Sequence, residues 1–350
     1  MRNKKSRGLF DDQFRLEKLN MLKDPLVKLN RFINWEDFRQ VIDQAFPVTN
    51  PTVGGRPPFD RVMMFKVLVL QKIYQISDDA TEYQILDRLS FSRFLKIDLC
   101  DPVPDAKTIW NYREQLKNHA IFDRLFEFLR EKINKASLVI NDGSIVDARI
   151  IEVPKQRNSR DENSQIKKGQ TPEDWKDNPN KLRQKDIDAD WLKKNGKNYY
   201  GYKNHIKIDH GSKLITEYQV TPASVHDSNA LDDLLDESDN EKPLWGDSAY
   251  TGSRCAKIIR KYKMKNRTHK KGYRYQQLSD YQKRQNRKKS KVRARVEHVF
   301  GFMYQNLNGA TFFRYIGIDR IASSIGLQNI VYNLFRAIFL IEAKRVPIKL

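Results

Sequence analysis

The sequence predicts an α+β protein, with a helical N-terminal region at residues 1–136 and a mixed sheet flanked by helices at residues 137–350. Two observations support this prediction. Apolar residues recur at helical spacing up to residue 136, and beyond it the chain changes to short runs rich in β-branched residues. Strand-like and helix-like runs then alternate to the C-terminus, which is typical of a sheet covered by helices.

Several amphipathic helices joined by turns are expected in the helical region. Residues 11–46 have apolar positions at helical spacing, and a connector rich in proline and glycine follows at residues 47–58. Residues 59–74 are strongly apolar and predict the central helix of the region. Asp105 is the expected N-cap of a helix that begins at residue 106. Further helices are predicted over residues 80–89, 91–95 and 121–136.

The second region is predicted to contain strands and helices in the order of the ribonuclease H-like fold. Strands are expected over residues 137–140, 144–151, 199–209, 214–221, 243–245 and 265–269. Helices are expected over residues 227–235, 253–262 and 288–306. Residues 155–198 are polar and too long for a hairpin loop, so we interpret them as an insertion or a partly disordered arm.

The composition indicates a polyanionic partner without indicating a chemistry. The net charge is +21, an excess shared by ribosome-associated, membrane-surface and nucleic-acid proteins. Cys100 and Cys255 have no metal-binding spacing, and residues 1–8 lack a signal-peptide core, so we expect a protein of the reducing cytoplasm. The apolar stretch at residues 321–343 is interrupted by polar residues and predicts a buried or interfacial helix, not a membrane span.

Three acidic residues are candidate metal ligands. Asp147 lies within an apolar strand, where an unpaired carboxylate is penalised by desolvation. Asp247 follows a short apolar strand, at the position where open sheets expose functional residues. Glu297 lies on a helix, on the face that also carries Lys289 and Arg293. Converging carboxylates are the minimum requirement for phosphoryl transfer with hard divalent cations.

Simpler structural explanations exist for several acidic and polar residues. A single buried Asp is more often part of a salt bridge than a metal ligand. Asp142 is a second candidate near Asp147, but its neighbours indicate a turn, so Asp147 is preferred. His226 and Asp227 are more simply explained as caps of the helix that follows them.

Positive charge is concentrated in one segment that leads into Glu297. Residues 264–297 carry thirteen Lys or Arg against two acids. A basic run is usually a solvated face, but its position before Glu297 favours contact with a DNA backbone. Within this basic segment, Arg293 is expected to pair with Glu297, to contact phosphate, or both. His298 is expected to contact DNA or metal, or to be structural.

The motifs around these residues resemble those of the DDE transposases of bacterial insertion sequences, specifically the insertion-sequence-five group. The resemblance covers about residues 10–343. In the helical region it rests on DPLV at residues 24–27, GRPPFD at 55–60, YQILDRLSF at 83–91 and DPVPD at 101–105. In the second region it rests on IVDA at residues 145–148, YGYK at 200–203, VHD at 225–227, GDSAY at 246–250 and RVEHVF at 295–300.

The resemblance implies a ribonuclease H-like catalytic core with Asp147, Asp247 and Glu297 as catalytic, metal-binding residues. The implied cofactor is Mg²⁺, for which Mn²⁺ is expected to substitute. The implied protein acts at the bacterial nucleoid, binds terminal inverted repeats in double-stranded DNA, hydrolyses phosphodiesters with two metal ions and joins 3′-hydroxyl ends to target DNA. A homodimer is expected in the paired-end complex. DNA contacts are predicted for Lys203, Lys270, Lys271, Arg274, Lys288, Lys289, Arg293 and His298.

The chain departs from the family pattern at three positions. Arg149 stands where the family usually has Thr or Ser. Ser290 and Tyr304 stand where related transposases carry the Tyr and Lys of a Tyr–Arg–Glu–Lys pattern. The roles of these two positions in gripping the cleaved DNA end are therefore left open.

Two other functions remain as alternatives. A catalytically inactive, transposase-derived DNA-binding repressor would share the fold and the charge but would not cleave DNA. A ribonuclease acting on RNA–DNA hybrids would share the fold and the metals, although the long helical region argues against it. Metal-dependent cleavage, and a comparison of hybrid with duplex substrates, distinguish these functions.

Overall fold

The computed structural model describes residues 14, 17–19, 21–22, 24–47, 57–98, 100–307, 311–344 and 349–350. The helices of its N-terminal region are α1 (Pro25–Phe32), α2 (Arg39–Asp43), α3 (Arg61–Tyr74), α4 (Asp78–Asp87), α5 (Leu89–Leu95), α6 (Ala106–Asn118) and α7 (Ile121–Lys135). Most of the predicted connector at residues 47–58, and the first two residues of the motif at 55–60, lie outside the described residues.

Side-chain caps explain where two of these helices begin. The Asp60 carboxylate accepts a hydrogen bond of 2.8 Å from the Met63 N–H, at the start of α3. The Asp105 carboxylate accepts one of 2.6 Å from the Thr108 N–H, which confirms the predicted N-cap of α6. Helix α3 is buried along almost its whole length and is the centre of the helical region, as predicted.

The second part of the chain forms a mixed sheet. Its strands in the described residues are β1 (Ser144–Glu152), β2 (Asp190–Lys194), β3 (Lys197–Asp209), β4 (Ile215–Pro222), β5 (Pro243–Trp245) and β6 (Lys265–Asn266). β3 lies antiparallel between β1 and β4, and β2 pairs with the beginning of β3. On the other side of β1, β5 and β6 continue the sheet in parallel orientation. The predicted fold class, a helical region followed by a ribonuclease H-like mixed sheet, is therefore confirmed.

This part of the chain also contains helices. They are α8 (Arg160–Lys167), α9 (Glu173–Lys176), α10 (Pro179–Arg183), α11 (Leu231–Leu234), α12 (Ser253–Lys261), α13 (Asp280–Asn306) and α14 (Ile318–Lys344). One face of the sheet shares the main core with α13, α14 and the helical region. The other face forms a smaller core with α11 and α12, which includes Val146, Leu244 and Tyr250.

Helix α14 contains the apolar stretch that the sequence predicted to be buried or interfacial. By length and composition alone it is able to cross a membrane, but 78% of its most apolar window is buried inside the protein. Its polar side chains bond to the sheet: the Asn333 amide accepts from the Ile215 N–H at 2.9 Å and donates to the Ile215 carbonyl at 2.8 Å. Helix α14 is thus a core helix.

Three local expectations change. Residues 137–140 do not form the predicted strand, because Ser137 and Asn141 have φ of +53° and +62°, which interrupts an extended backbone. Helix α13 begins at Asp280, earlier than predicted, behind a capping box formed by Ser279 and Gln282. The predicted insertion is folded, since it contains α8, α9, α10 and most of the hairpin of β2 with β3.

Candidate active site

The sheet brings Asp147 and Asp247 to neighbouring positions. Ile145 of β1 is paired in parallel with Trp245 of β5, and each aspartate follows its paired residue by two positions. Equal offsets along paired parallel strands keep residues alongside each other. Asp247 therefore lies just beyond the carboxyl end of β5, beside Asp147 of β1, and the two carboxylates are close enough to interact electrostatically.

Asp147 is a largely buried carboxylate, with 13% of its side chain exposed. Its Oδ2 accepts a hydrogen bond from Arg293 Nη1 at 2.5 Å, and its Oδ1 accepts one from the Ala148 N–H at 2.9 Å. Burial raises the pKa of Asp147 to about 6, and the nearby Asp247 and Glu297 carboxylates also raise it, whereas Arg293 lowers it. The three acids thus influence one another electrostatically.

Asp247 is held by the turn that follows β5. Its Oδ1 accepts a hydrogen bond of 2.7 Å from the Ala249 N–H and so caps a short 3₁₀ turn. Gly246, just before it, is closely packed, because a Cβ there would lie 3.0 Å from Tyr250 and 3.2 Å from Val146. A larger residue at position 246 would push these neighbours away and displace Asp247.

Helix α13 packs on β1 and β5 and contributes Glu297. Arg293, one turn earlier on α13, bridges two acids: its Nη1 bonds to Asp147 and its Nη2 lies 3.2 Å from Glu297 Oε1. The predicted pairing of Arg293 with Glu297 is therefore present. The contact of Arg293 with Asp147 was not predicted. Glu297 remains 57% exposed.

The donor chemistry of the site fits a hard divalent cation, but Arg293 lies between the donors. Carboxylate oxygens are the ligands that Mg²⁺ prefers, and three acids at one place concentrate negative charge that needs a cation. Within the described ranges, no group of three His, Cys, Asp or Glu side chains has metal-binding spacing. In this structure the Arg293 guanidinium supplies the positive charge between Asp147 and Glu297.

Comparisons with known proteins identify the family. Residues 141–334, more than half of the chain, match the model of the transposase DDE domain. The chain belongs to the transposase DDE domain family. Residues 14–115 match a second model, described as a transposase domain (DUF772). The predicted resemblance to DDE transposases is confirmed at this level, and assignment to the insertion-sequence-five group stays a prediction.

Among solved structures, the chain is similar to a piggyBac transposase, determined by cryo-EM as a synaptic complex with hairpin DNA. The similarity covers 92% of this chain and 76% of that one, with 12% sequence identity and a TM-score of 0.45.

His269 is a further polar residue of the DDE domain beside the acids, and sequence reasoning missed it. The backbone N–H of His269 donates to the Gly246 carbonyl at 3.1 Å, and its ring Nε2 lies 3.2 Å from Ser290 Oγ. Burial lowers the pKa of His269, and the nearby Asp247 opposes that shift. The available signal was its place at the end of the predicted strand 265–269, next to the strand that leads to Asp247.

Arg149, the first departure from the family pattern, lies against helix α13. Its guanidinium is 5.6 Å from the Phe300 ring centre and 5.7 Å from that of Tyr304. Burial lowers the pKa of Arg149, and the charge of Glu297 raises it. Tyr304 stands at the position where related transposases carry Lys. In this DDE domain the guanidinium of Arg149, from β1, packs on the Tyr304 ring.

Seven of the eight predicted DNA contacts lie either in the connection between β6 and α13 or on α13 itself. These residues are exposed or half-exposed: Lys270, Lys271, Arg274, Lys288, Lys289, Arg293 and His298. Lys203 is different, because it is only 6% exposed and its Nζ bonds to Asp227 Oδ1 at 2.8 Å and to the Val225 carbonyl at 2.7 Å. In this conformation Lys203 is a buried partner of Asp227 and does not present its amine to DNA.

Two alternatives considered from the sequence have ordinary structural roles. Asp142 lies in an exposed turn and contacts His210 Nδ1 at 3.0 Å. His226 caps the 3₁₀ turn Asp227–Asn229, because its Nδ1 accepts a hydrogen bond of 3.3 Å from the Ser228 N–H.

Proposed function

We propose that this chain is the transposase of a bacterial insertion sequence of the insertion-sequence-five group. It binds terminal inverted repeats, hydrolyses a phosphodiester at each end of the element and joins the 3′-hydroxyl ends to target DNA. The observation that carries the proposal is the position of Asp147 beside Asp247 and under the Glu297 helix, in a chain of the transposase DDE domain family.

Asp147, Asp247 and Glu297 are the proposed catalytic residues and would hold the divalent cations, Mg²⁺ with Mn²⁺ as a substitute. When bound, two such cations activate the attacking oxygen and stabilise the leaving oxygen of an in-line displacement. The contribution of the protein is placement. Strand β1 and the turn after β5 hold two carboxylates side by side, and α13, a helix of 27 residues, presents the third.

Arg293 has two roles in this proposal. Before DNA binds, its guanidinium keeps Asp147 and Glu297 together and offsets their repulsion. On binding, it moves from Asp147 to a DNA phosphate, which the planar guanidinium contacts well. The exposed cations beside it, among them Lys270, Lys271 and Arg274, hold the backbone near the carboxylates.

The two ends of an element require at least two copies of the chain, so the proposal includes a homodimer in the paired-end complex. The helical region at residues 1–136 would bind the ends and mediate this association. The proposed place of action is the bacterial nucleoid, where a chain with a net charge of +21 is retained by DNA.

Cleavage of a duplex that carries the element's own terminal repeat tests the proposal. We expect nicking at the repeat boundary with Mg²⁺, none with EDTA, and none from Asp247→Asn, because the amide removes one anionic metal ligand. Asp142→Asn is the matched control, since this acid lies in an exposed turn outside the proposed triad, and it should cleave as the native chain does.

Other outcomes would contradict the proposal. Tight binding of the repeat without cleavage in Mg²⁺ or Mn²⁺ would identify the inactive DNA-binding repressor. Preference for an RNA–DNA hybrid over the duplex would identify a ribonuclease. Full activity of Asp247→Asn would remove this residue from the catalytic set.

A further inference from the structure

A groove lies between the helical region and the segment that leads into α14. It has a volume of about 940 Å³ and is lined by α3, α4 and α6 on one side and by residues 312–316 and α14 on the other. The Phe313 N–H donates to the Glu152 carbonyl at 2.9 Å, so one wall is attached to the end of β1. Glu152 is about 17 Å from Asp147 along the strand. The groove is therefore separate from the candidate active site.

The charged side chains that line this groove are mostly cationic. They are the cations Lys72, Arg113, Lys117, Arg314 and Arg320 and the acids Asp78 and Glu114. Both acids are already engaged, because Arg113 donates to Asp78 at 2.8 and 2.7 Å and Arg320 donates to Glu114 at 2.9 Å twice. The groove thus keeps a positive charge that its own acids do not neutralise.

Lys72 is a buried cation of the groove, with a relative exposure of 6%. Its Nζ donates to Ser324 Oγ at 2.6 Å and lies 4.3 Å from the centre of the Phe313 ring. Among the described residues no carboxylate stands at ion-pair distance from this amine. Burial, together with the nearby Arg113, lowers the pKa of Lys72 to about 7. An anion entering the groove would therefore stabilise the charged form of Lys72.

Aromatic side chains remain exposed beside these cations. Trp110 is 45% exposed and Phe312 is 50% exposed. Sites for single-stranded nucleic acid combine a positively charged groove for the phosphates with aromatic rings on which bases stack. The bases of a duplex are stacked inside the helix and cannot reach such rings without being extruded. The groove therefore fits a single strand better than a duplex.

We infer that this groove binds a single-stranded segment of DNA, with a phosphate beside Lys72 and bases against Trp110 and Phe312. The inference rests on the proposed function, because cleavage at an element's end is the reaction that frees a strand near Asp147. The end of β1 that holds one wall of the groove is about 17 Å from Asp147, so a freed strand has to run only a few nucleotides from the active site to reach the groove. The groove would anchor the strand away from the reacting phosphate.

Fluorescence anisotropy with a labelled twelve-nucleotide oligothymidylate, in EDTA at pH 6.5, tests the inference without cleavage. Lys72→Met removes the charge and keeps a side chain of similar length, and should weaken binding about tenfold through loss of a charge-assisted hydrogen bond. Trp110→Ala should weaken binding by a similar factor through loss of a stacked base.

Lys66→Met is the matched control for Lys72→Met. Lys66 lies on the same helix, is 4% exposed, and donates to the Phe94 carbonyl outside this groove. It should bind the oligonucleotide as the native chain does. The inference is overturned if Lys72→Met and Lys66→Met bind the oligonucleotide equally well.

Cross-linking locates the bound strand, because the basic segment at residues 264–297 also attracts DNA. An oligonucleotide that contains bromodeoxyuridine should cross-link to peptides that carry Trp110 or Phe312. Cross-links confined to residues 264–297 would contradict the inference.

The proposal for the groove and the proposal for the candidate active site can be refuted independently. Absence of cleavage with a preserved effect of Lys72→Met would refute the proposed chemistry and support the groove. Metal-dependent cleavage without any effect of Lys72→Met on single-strand binding would refute the groove alone.

Discussion

At the scale of single residues, Arg293 is the cation that lies against two acids of the candidate active site. Its guanidinium lies 2.5 Å from Asp147 and 3.2 Å from Glu297, so the protein itself supplies the cation for two of the three acids. Asp147 still has a pKa raised to about 6, because burial outweighs this pairing. A divalent cation would therefore have to compete with Arg293 for the Asp147 carboxylate.

Substitution of Arg293 is expected to strengthen metal binding. Arg293→Gln removes the competing charge and should lower the dissociation constant for Mn²⁺ several-fold, measured by electron paramagnetic resonance in the absence of DNA. Arg295→Gln is the control, because Arg295 lies on the same helix but donates to the His210 carbonyl. Weaker Mn²⁺ binding by Arg293→Gln would show that the guanidinium organises the acids without competing for them.

Lys72 makes the stability of the protein depend on pH. Its native pKa is about 7 and its ordinary value is 10.5. Below pH 7 both states are protonated, and the native state carries the full cost of a buried charge. Between pH 7 and 10.5 the unfolded chain binds the extra proton, so this contribution to the free energy of unfolding rises with pH.

Lys72→Met should therefore raise the free energy of unfolding at acidic pH, and this difference from the native chain should disappear at basic pH. We expect its free energy of unfolding to exceed that of the native chain by roughly 2–4 kcal/mol at pH 6, with the difference disappearing near pH 10. Urea unfolding at both pH values measures it. The same difference at pH 6 and pH 10 would show that the charge of Lys72 is not the cause.

At the scale of elements, the insertion depends on one aromatic residue. Trp175 is fully buried, and its Nε1 donates to Glu162 Oε1 at 2.6 Å. Glu162 also completes the capping box of α8 with Ser159. Lys185 lies 4.9 Å from the centre of the Trp175 ring. Three short helices, each only marginally stable by itself, are thus packed around one side chain.

Removal of that side chain should unfold the insertion locally. Trp175→Ala is expected to lower the free energy of unfolding of the insertion by about 3–5 kcal/mol, which is more than three short helices contribute on their own. Limited trypsin digestion should then cut between residues 155 and 189, while the main melting transition stays near that of the native chain. Trp191→Ala, at a position that is 43% exposed, is the control and should resist digestion. Equal resistance of both variants would contradict this account.

At the scale of the whole molecule, the helical region and the sheet share the main core. Helix α14 packs against α7 and α3 as well as against β4. The rings of Phe126 on α7 and Tyr218 on β4 are 4.8 Å apart, and Tyr218 donates a hydrogen bond to Asp123. The division at residue 136 remains a prediction, and the shared core indicates that the two parts depend on each other for stability.

A fragment of residues 137–350 is accordingly expected to lack a fixed tertiary structure. It would expose the faces of α14 and β4 that α3 and α7 cover, and so lose the burial that orders them. Near-ultraviolet circular dichroism should show weak signals, and thermal melting should be broad. A sharp, cooperative transition in this fragment would establish it as an independent domain.

The salt dependence of duplex binding is expected to come largely from the basic segment. Substitution of Lys270, Lys271 and Arg274 by Gln should reduce the slope of log K against log salt by about 2–3, at roughly 0.9 per phosphate contact. The same change at Lys193, Lys194 and Lys197, which are exposed on the hairpin of β2 and β3, is the control. Equal changes in slope for both triple variants would mean that DNA binding is not localised to the basic segment.

Periodicity predicted many elements within a few residues. The central helix predicted at residues 59–74 is α3 (Arg61–Tyr74), and the strand predicted at 199–209 is β3 (Lys197–Asp209). The errors occur where tertiary contacts decide the backbone. Residues 137–140 carry strand-like side chains but turn towards Asp209, whose carboxylate accepts hydrogen bonds from the Ile140 and Asn141 N–H groups.

The sequence by itself determined the fold class, the order of the three acids (within a strand, just after a strand, and on a helix) and the basic segment before the third acid. Periodicity and charge are local properties of a chain, so these features can be seen without coordinates. Only the tertiary structure decided that Arg293 lies between Asp147 and Glu297, and that Lys203 is buried. The same holds for the groove around Lys72, because these features depend on distances between residues far apart in the chain, which no local pattern encodes.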